Sequence, residues 1–222
     1  MIENKLIGSV GTKTLSEFNK LALTSKTTLI EHRLDYMQKK LPENFNYDCM
    51  GKQIIATVRP KELGGKFLGS TEDQINLLWE AVDSGATYID VEKEMDTKKR
   101  NKFIHDLKEK KIKVIISSHN FKLTPELESL FAIANEIKSL HGTIAKIVCF
   151  NRTYEESLRM LQLQTQAEIP MISFGMGPLG KYTRILSMLI GAPFGYVAIS
   201  TQTAPGQLTF DEFITLYEKL SK

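Results

Sequence analysis

One lysine, Lys146, lies in the middle of an otherwise apolar segment, residues 143–150. Because nearly every residue of this segment is apolar and favours extended structure, it is predicted to be a strand buried on both faces. A buried ammonium group is costly, so the protein must either pair Lys146 or lower its pKa. A lysine with a lowered pKa is a nucleophile for carbonyl groups. The alternative is a lysine near a strand end whose side chain reaches solvent.

Further polar residues interrupt the apolar segments. Glu31 with Arg33, and Asp90 with Glu92, are each two residues apart, so the members of each pair share one face of a strand. In the first pair this leaves His32 on the opposite face. The other interruptions are Arg59, His119, Arg184, Thr203 and Gln207. Because parallel strands are normally plain apolar segments, these residues indicate one converging site rather than scattered salt bridges.

The residue types indicate the kind of substrate. Arginine side chains recognise carboxylate or phosphate groups through a planar fork, and carboxylates and amides suit hydroxyl groups. A neutral lysine suits a ketone, and a histidine suits proton transfer near neutral pH. The predicted substrate is therefore a small polyhydroxylated keto acid. His105 and His141 lie apart from other ligand types, so no metal site is expected.

Strand and helix patterns alternate along the whole chain. Strands are predicted at 5–10, 27–34, 53–58, 87–91, 113–117, 143–150, 170–174 and 196–200. Helices are predicted at 14–23, 71–83 with Thr71 as the cap, 97–110, 124–138 with Pro125 at the first position, 153–164, 182–189 and 209–220, with at most a brief helix within 42–52.

This alternation predicts a parallel sheet. Eight strand–helix units without a break in composition predict an α/β fold, a single (β/α)8 TIM barrel domain over residues 1–222. An open doubly wound sheet is the alternative. In barrels, chemistry takes place at the carboxyl ends of the strands, which is where the polar residues named above cluster.

The composition is that of an ordinary soluble globular protein, with 42% hydrophobic and 25% charged residues among 222. A net charge of +3 is too small to indicate a nucleic-acid partner. The two cysteines, Cys49 and Cys149, do not make a disulfide framework, so a reducing, cytoplasmic location is expected. The sequence has neither the apolar stretch of a signal peptide nor a run of about 18 apolar residues, so no membrane partner is expected.

Several short motifs, in order, resemble those of the type I 3-dehydroquinate dehydratases. They are EHRLD at 31–35, TVR at 57–59 with GG at 64–65, YIDVE at 88–92, SSHNF at 117–121, AKI at 145–147, MG at 176–177, TR at 183–184 and APGQ at 204–207. Each motif alone is weak, but the ordered set covers almost the whole chain. The resemblance implies a cofactor-free lyase of the shikimate pathway that dehydrates 3-dehydroquinate to 3-dehydroshikimate, and a homodimer.

The resemblance also implies a role for each site residue. Lys146 resembles the lysine that forms a Schiff base with the C3 ketone, and His119 resembles the general acid and base. Arg184 resembles the arginine that binds the substrate carboxylate. The residues expected to hold the ring substituents are Ser9, Glu31, Arg33, Arg59, Thr203 and Gln207. Asp90 and Glu92 are expected behind these groups, where Glu92 would orient Lys146 or His119.

The chain departs from the family pattern in a few places. The family usually has a carboxylate or amide directly before the Gly-Gly pair, where it helps to orient the histidine. Here that position is Leu63, and Glu62 comes one residue earlier. We therefore expect either that Glu62 turns towards His119 when the loop of residues 61–70 closes over the pocket, or that this helper is lost. Thr203 replaces the usual serine and keeps its hydroxyl, and the barrel is expected to lack the family's N-terminal hairpin.

Two other functions are compatible with parts of the pattern. The first is another Schiff-base barrel lyase, such as a class I aldolase, and the second is a barrel that only binds a ligand. Aldolases of this kind often hold a substrate phosphate on backbone amides after the seventh and eighth strands. Arg184 and the loop of residues 204–207 favour a carboxylate instead. The presence of both Lys146 and His119 argues against a non-catalytic barrel.

Overall fold

The computed structural model describes residues 2–199 and 201–221, without the side chain of Cys49. Its strands are β1 (Leu6–Val10), β2 (Leu29–Arg33), β3 (Gln53–Thr57), β4 (Tyr88–Glu92), β5 (Lys113–Asn120), β6 (Ile144–Phe150), β7 (Met171–Met176), β8 (Gly195–Ala198) and β9 (Leu208–Thr209). Its α-helices are α1 (Leu15–Thr24), α2 (Thr71–Asp83), α3 (Thr97–Glu109), α4 (Leu127–Ser139), α5 (Tyr154–Gln166), α6 (Gly177–Gly180), α7 (Thr183–Leu189) and α8 (Phe210–Leu220). Ser200, the predicted end of the eighth strand, lies outside the described residues.

The strands form one parallel sheet in the order β7-β6-β5-β4-β3-β2-β1-β8-β9. Strands β1 to β7 are neighbours in chain order, which excludes the doubly wound alternative because that fold reverses the strand order. Within the described residues, no ladder of backbone hydrogen bonds joins β7 to β8. Side chains of these two strands nevertheless meet, since the ring centroids of Phe174 and Tyr196 are 6.2 Å apart. The sheet therefore curls into an α/β barrel, as the sequence predicts.

The interior of the barrel is a packed core rather than a pore. Each strand from β1 to β8 contributes at least one buried side chain to it: Ile7, Leu29, Ile55, Tyr88, Ile115, Ile144, Val148, Ile172, Phe174, Met176 and Tyr196. A larger apolar cluster lies between the sheet and the surrounding helices. On β2, His32 faces that outer layer, where it stacks on Phe18 with 3.6 Å between the ring centroids. This confirms that His32 points away from the barrel interior.

Local sequence explains most helix boundaries, with two corrections. The N-cap of α2 is Ser70 rather than Thr71, because Ser70 accepts the backbone N–H of Asp73 and the Asp73 carboxylate accepts that of Ser70. Helix α4 begins at Leu127, because the residue before it is extended, with ψ of 155°. Pro125 therefore precedes this helix instead of occupying its first position.

The connection from β2 to β3 contains no α-helix. It holds two short 3-10 helices, Leu34–Tyr36 and Tyr47–Met50, in agreement with its poor sequence periodicity. Another 3-10 helix, Ile2–Lys5, leads directly into β1. Among the helices of residues 2–199 and 201–221, none combines the length and the apolar character that crossing a membrane requires.

Candidate active site

A pocket opens among the carboxyl ends of the barrel strands and the loops that follow them. Because all strands of a parallel barrel end at the same face, residues far apart in sequence meet there. The pocket is lined by the residues predicted to bind substrate or to act in catalysis: Ser9, Glu31, Arg33, Arg59, His119, Lys146, Arg184, Thr203 and Gln207. The rest of the lining is mainly apolar: Leu63, Gly64, Phe121, Val148, Phe174, Met176, Tyr196 and Ala204.

Lys146 is buried on β6, and its ammonium group is paired. Its Nζ donates a hydrogen bond to Oδ2 of Asp90 at 3.0 Å and lies 3.6 Å from Oε1 of Glu31. The ring of Tyr196 lies against the same nitrogen, with its centroid 4.1 Å away. The side chain of Lys146 is only 5% exposed, so the alternative of a lysine that reaches solvent is wrong.

Glu31, on β2, is fixed in place by two hydroxyl groups. Oγ of Ser9 donates to its Oε2 at 2.5 Å, and Oγ1 of Thr57 donates to its Oε1 at 3.0 Å. Burial by itself would raise the pKa of Glu31, but the positive charges of Lys146 and Arg33 outweigh it and lower that pKa. Glu31 is therefore an anion that faces Lys146 inside the barrel.

The loop after β8 covers one side of the pocket. Oγ1 of Thr203 lies 2.8 Å from Oγ of Ser9, which is on β1. Oε1 of Gln207 accepts hydrogen bonds from the backbone N–H of Thr203 at 2.9 Å and from its hydroxyl at 3.1 Å. These contacts join the last loop of the barrel to its first strand.

Arg59, which follows β3, is the centre of a buried ionic network. Its Nη2 donates to Oδ2 of Asp90 at 3.2 Å, its Nη1 donates to Oγ of Ser117 at 3.0 Å, and it also pairs with Glu92. Ser117 in turn donates to Oδ1 of Asp90 at 2.5 Å. Burial would raise the pKa of Asp90, but the charges of Arg59 and Lys146 lower it well below its usual range. Asp90 thus stays ionised between the two cations.

His119, at the end of β5, has two partners at Nδ1. Nη1 of Arg59 lies 3.0 Å away and Oε2 of Glu92 lies 3.5 Å away. A guanidinium can only donate, whereas a carboxylate can only accept, so the two partners favour opposite tautomers of the imidazole. Burial, followed by the charges of Arg59 and Lys146, lowers the pKa of His119 well below 6.5. The ring is therefore neutral at neutral pH, and Phe121 stacks beside it with 6.4 Å between the centroids.

Arg33 is held on the other side of the pocket by Asp35. Its Nε and Nη2 each donate to one carboxylate oxygen of Asp35 at 2.8 Å, and its guanidinium lies 5.0 Å from the ring centroid of Tyr36. Burial would lower the pKa of Arg33, but the hydrogen bonds and charge of Asp35 raise it. Asp35 also accepts the backbone N–H of Lys66 at 3.0 Å, so it ties the loop of residues 61–70 to β2.

Arg184, on α7, is a buried cation without a carboxylate partner among the described residues. Its Nη2 donates to the carbonyl oxygen of Pro205 at 3.2 Å, and its guanidinium lies 4.2 Å from the ring centroid of Phe174. Its Nε is buried without a hydrogen-bond partner in the described chain. Burial lowers the pKa of Arg184 to about 9. A buried charge of this kind, beside a pocket, is the arrangement expected for an anion-binding group.

Glu62 does not take the position that the sequence suggested. It is exposed and does not line the pocket, whereas Leu63 and Gly64 do. Residues Lys61–Leu63 form a 3-10 helix, in which successive side chains point about 120° apart. The helix ends at Gly64, whose φ of 77° and close approach to the ring of Phe121 leave no room for a Cβ atom. The carboxylate that contacts His119 here is therefore Glu92.

Several contributors to the site were missed from the sequence. Thr57 and Ser117 orient buried carboxylates, and the rings of Phe174 and Tyr196 lie against two cations. Alternation along β7 and β8 could have placed both rings inside the barrel. Nothing in the sequence, however, distinguishes a ring beneath a cation from any other interior ring.

A parallel barrel with a polar pocket at the carboxyl ends of its strands is the architecture of the barrel enzymes. The family model described as "Type I 3-dehydroquinase" matches residues 6–222. The chain therefore belongs to the type I 3-dehydroquinase family, the hydro-lyases known as type I 3-dehydroquinate dehydratases, which act in the shikimate pathway.

Individual relatives agree with this assignment. The 3-dehydroquinate dehydratase of Methanopyrus kandleri is 32% identical over 226 residues, which cover 97% of this chain and 99% of that protein. The crystal structure of the enzyme from Aquifex aeolicus is 27% identical, with a TM-score of 0.78 and coverage of 96% and 97%. The structure of the type I enzyme from Clostridium difficile is 22% identical, with a TM-score of 0.86 and coverage of 98% and 92%, and it supports the fold.

Proposed function

We propose that the chain converts 3-dehydroquinate into 3-dehydroshikimate and water through a Schiff base on Lys146, with His119 as general acid and base. The observation that carries this proposal is the convergence of three groups in one pocket: a buried lysine, a neutral histidine, and Arg184, a buried arginine without a carboxylate partner in the described chain. They match the ketone, the proton transfers and the carboxylate that the substrate requires.

The proposed reaction begins at the ketone. The ammonium group of Lys146 first loses one proton to solvent, and the neutral Nζ attacks C3. The carbonyl oxygen then takes one proton from the nitrogen and one from solvent and leaves as water, so a C3=N iminium forms. His119 then removes a proton from C2, and the electron pair of that C–H bond moves to the iminium nitrogen, which produces an enamine. The enamine expels the C1 hydroxyl, which takes the proton from His119 and leaves as water. Hydrolysis of the restored iminium consumes one water and releases the product from Lys146.

The charged neighbours of Lys146 support this sequence of steps. Asp90 and Glu31 hold the ammonium group at 3.0 and 3.6 Å and so fix Nζ inside the pocket, and a proton must leave it before the attack on C3. Neutral His119 lies on the adjacent strand, where it pairs in register with Val148, two residues beyond Lys146. An imidazole with a lowered pKa is suited to accept protons at neutral pH.

The remaining polar residues would hold the substrate in one orientation. Arg184 would bind the carboxylate, because it is the pocket cation that lacks a carboxylate partner among the described residues. Ser9, Glu31, Arg33, Arg59, Thr203 and Gln207 would bind the ring hydroxyls and the carbonyl region. The Clostridium difficile relative was solved with covalently modified comenic acid, which supports covalent chemistry in a pocket of this fold.

The proposal extends to the setting of the enzyme. Residues 1–222 would act as one catalytic barrel domain, as a homodimer in the cytoplasm, on a small-molecule substrate and without a cofactor. Size-exclusion chromatography with light scattering tests the dimer, and full activity after exhaustive chelation tests the absence of a metal requirement.

The direct test is borohydride reduction in the presence of 3-dehydroquinate. We expect mass spectrometry to find the reduced adduct on Lys146, and Lys146→Ala to lose both the adduct and turnover while it remains folded. Lys138→Ala removes a lysine at the protein surface, 47% exposed and paired with Glu168, and it should keep both. Substantial turnover by folded Lys146→Ala protein would refute the Schiff-base mechanism.

A second variant separates imine formation from the later steps. His119→Ala should still accumulate an adduct that borohydride traps on Lys146, but it should release almost no product, because the proton transfers after imine formation depend on the imidazole. A complete absence of trapping, with substrate still bound, would show that His119 is needed for the first step as well.

A further inference from the structure

Two adjacent strands each place an aromatic ring against one of the buried cations of the pocket. The ring of Tyr196 on β8 lies 4.1 Å from Nζ of Lys146, and the ring of Phe174 on β7 lies 4.2 Å from the guanidinium carbon of Arg184. The two ring centroids are 6.2 Å apart. Both separations are well inside the range in which the negative face of a ring attracts a cation.

The contact at Tyr196 is made by the ring and not by its hydroxyl. The side chain is buried, with 4% exposure, and its hydroxyl oxygen has no hydrogen-bond partner among the described residues. Buried hydroxyl groups normally find a partner, so the hydroxyl does not account for a tyrosine at this position. What the side chain contributes at Lys146 is the face of its ring.

The number of N–H groups on the nitrogen changes along the proposed reaction. An ammonium has three donors, which suits the two carboxylates of Asp90 and Glu31. The iminium that forms at C3 keeps its positive charge but has a single N–H, so it can donate only one of those hydrogen bonds. The attraction to the ring face depends on the charge and not on the number of donors, so it persists after the imine has formed.

We infer that Tyr196 is a positioning residue for the Schiff-base nitrogen, which it holds over its ring face and stabilises in the cationic iminium form. The inference rests on the proposed function, because it assigns the iminium to Lys146. The cationic iminium acidifies the C2–H bond far more than a neutral imine does, so loss of the ring face that keeps the nitrogen protonated should act on kcat more than on KM.

The test compares two rings of the same shape. Tyr196→Phe keeps the negative face, whereas Tyr196→pentafluorophenylalanine, introduced at this position alone, inverts it. We expect Tyr196→Phe to keep kcat and KM within about twofold of the unmodified protein. The fluorinated protein should have a kcat about tenfold lower at similar KM.

The matched control is Tyr88, a ring of the same interior cluster that does not line the pocket. The same two replacements at Tyr88 should leave kcat and KM unchanged. If the fluorinated Tyr196 protein is recovered unfolded, Tyr196→Leu, which removes the ring, replaces it in the comparison. Its kcat should likewise be lower than that of Tyr196→Phe at similar KM.

The outcomes separate the inference from the proposed function. An equal kcat for Tyr196→Phe and for the variant without the negative ring face would overturn the inference, while the borohydride adduct on Lys146 would still support the Schiff base. Turnover by the unmodified protein with no label on Lys146 would instead refute the Schiff base, and the inference would fall with it.

Discussion

Replacing Arg184 with methionine should make the protein more stable and, at the same time, a much poorer enzyme. Methionine keeps most of the length of the side chain and removes the charge. Burial lowers the pKa of Arg184 from its ordinary value to about 9, which means that the folded protein disfavours the charged form. At about 1.4 kcal/mol for each pKa unit, this burial costs the folded state up to about 5 kcal/mol.

Two favourable contacts offset part of that cost. The ring of Phe174 contributes about 1–2 kcal/mol, and the hydrogen bond to the carbonyl of Pro205 contributes about 1 kcal/mol. Arg184→Met should therefore raise the free energy of unfolding by roughly 2 kcal/mol. Urea denaturation measures this change, and an unchanged m-value would show that both proteins unfold between similar states.

The effect of the same substitution on catalysis should be large and opposite. A fork of two charge-assisted hydrogen bonds to the substrate carboxylate is worth roughly 4 kcal/mol, so kcat/KM should fall about a thousandfold. Because the carboxylate takes no part in making or breaking bonds and would be bound in the ground state and the transition state alike, most of the loss should appear as a higher KM. The conjugated enone of 3-dehydroshikimate gives a direct absorbance assay.

Arg152→Met is the matched control, because Arg152 is an arginine 56% exposed and paired with Glu156. It should change stability by no more than about 1 kcal/mol and should leave KM unchanged. If Arg184→Met unfolds more easily than the parent protein, Arg184 is a structural cation. If its KM is unchanged, the substrate carboxylate binds elsewhere. Either result would refute the reasoning.

Three further predictions concern the histidines and their neighbours. Glu62→Gln should leave kcat within about twofold, whereas Glu92→Gln should lower it about tenfold at similar KM, because Glu92 contacts His119 and Glu62 is exposed. Steady-state kinetics that show a larger effect at Glu62 would restore its predicted role. The pKa of His119 is lowered well below 6.5, and the proposed mechanism uses its neutral form, so kcat should keep its neutral-pH value as the pH falls below 6.5. A loss of kcat centred above pH 6.5 would contradict this. Burial lowers the pKa of His32 to about 3, so this residue binds its proton more tightly in the unfolded chain, and the free energy of unfolding should fall as the pH drops from 6.5 towards 3. In His32→Phe, the free energy of unfolding measured by urea denaturation should fall less steeply with decreasing pH, by up to about 1.4 kcal/mol per pH unit. An unchanged pH dependence would count against a neutral buried His32.

Some features of this protein follow from the sequence alone. The alternation in residues 31–33 sends Glu31 and Arg33 into the barrel and His32 out to Phe18, because successive side chains of a strand point to opposite faces. The repeated change between strand and helix periodicity predicts the parallel barrel. Pockets in barrels form at the carboxyl ends of the strands, so the polar interruptions there predict the residues that line the pocket.

Contacts within that pocket were decided only by the tertiary structure. Ser9 and Thr203 are 194 residues apart and meet because β1 and β8 are neighbours in the curled sheet. The sequence suggested Glu62 as the partner of His119, whereas a turn of 3-10 helix leaves Glu62 exposed and Glu92 makes the contact.

The direction of a side chain and the distance between two side chains depend on different lengths of the chain. Periodicity is a local property of the chain, because the direction of a side chain depends on a few backbone torsions. The distance between two side chains across a barrel depends on strand register, on the stagger of the strands and on loop geometry. These quantities are fixed only when the whole sheet closes. The contact between the ring of Tyr196 and Lys146 depends on them, so it could not be predicted from the sequence.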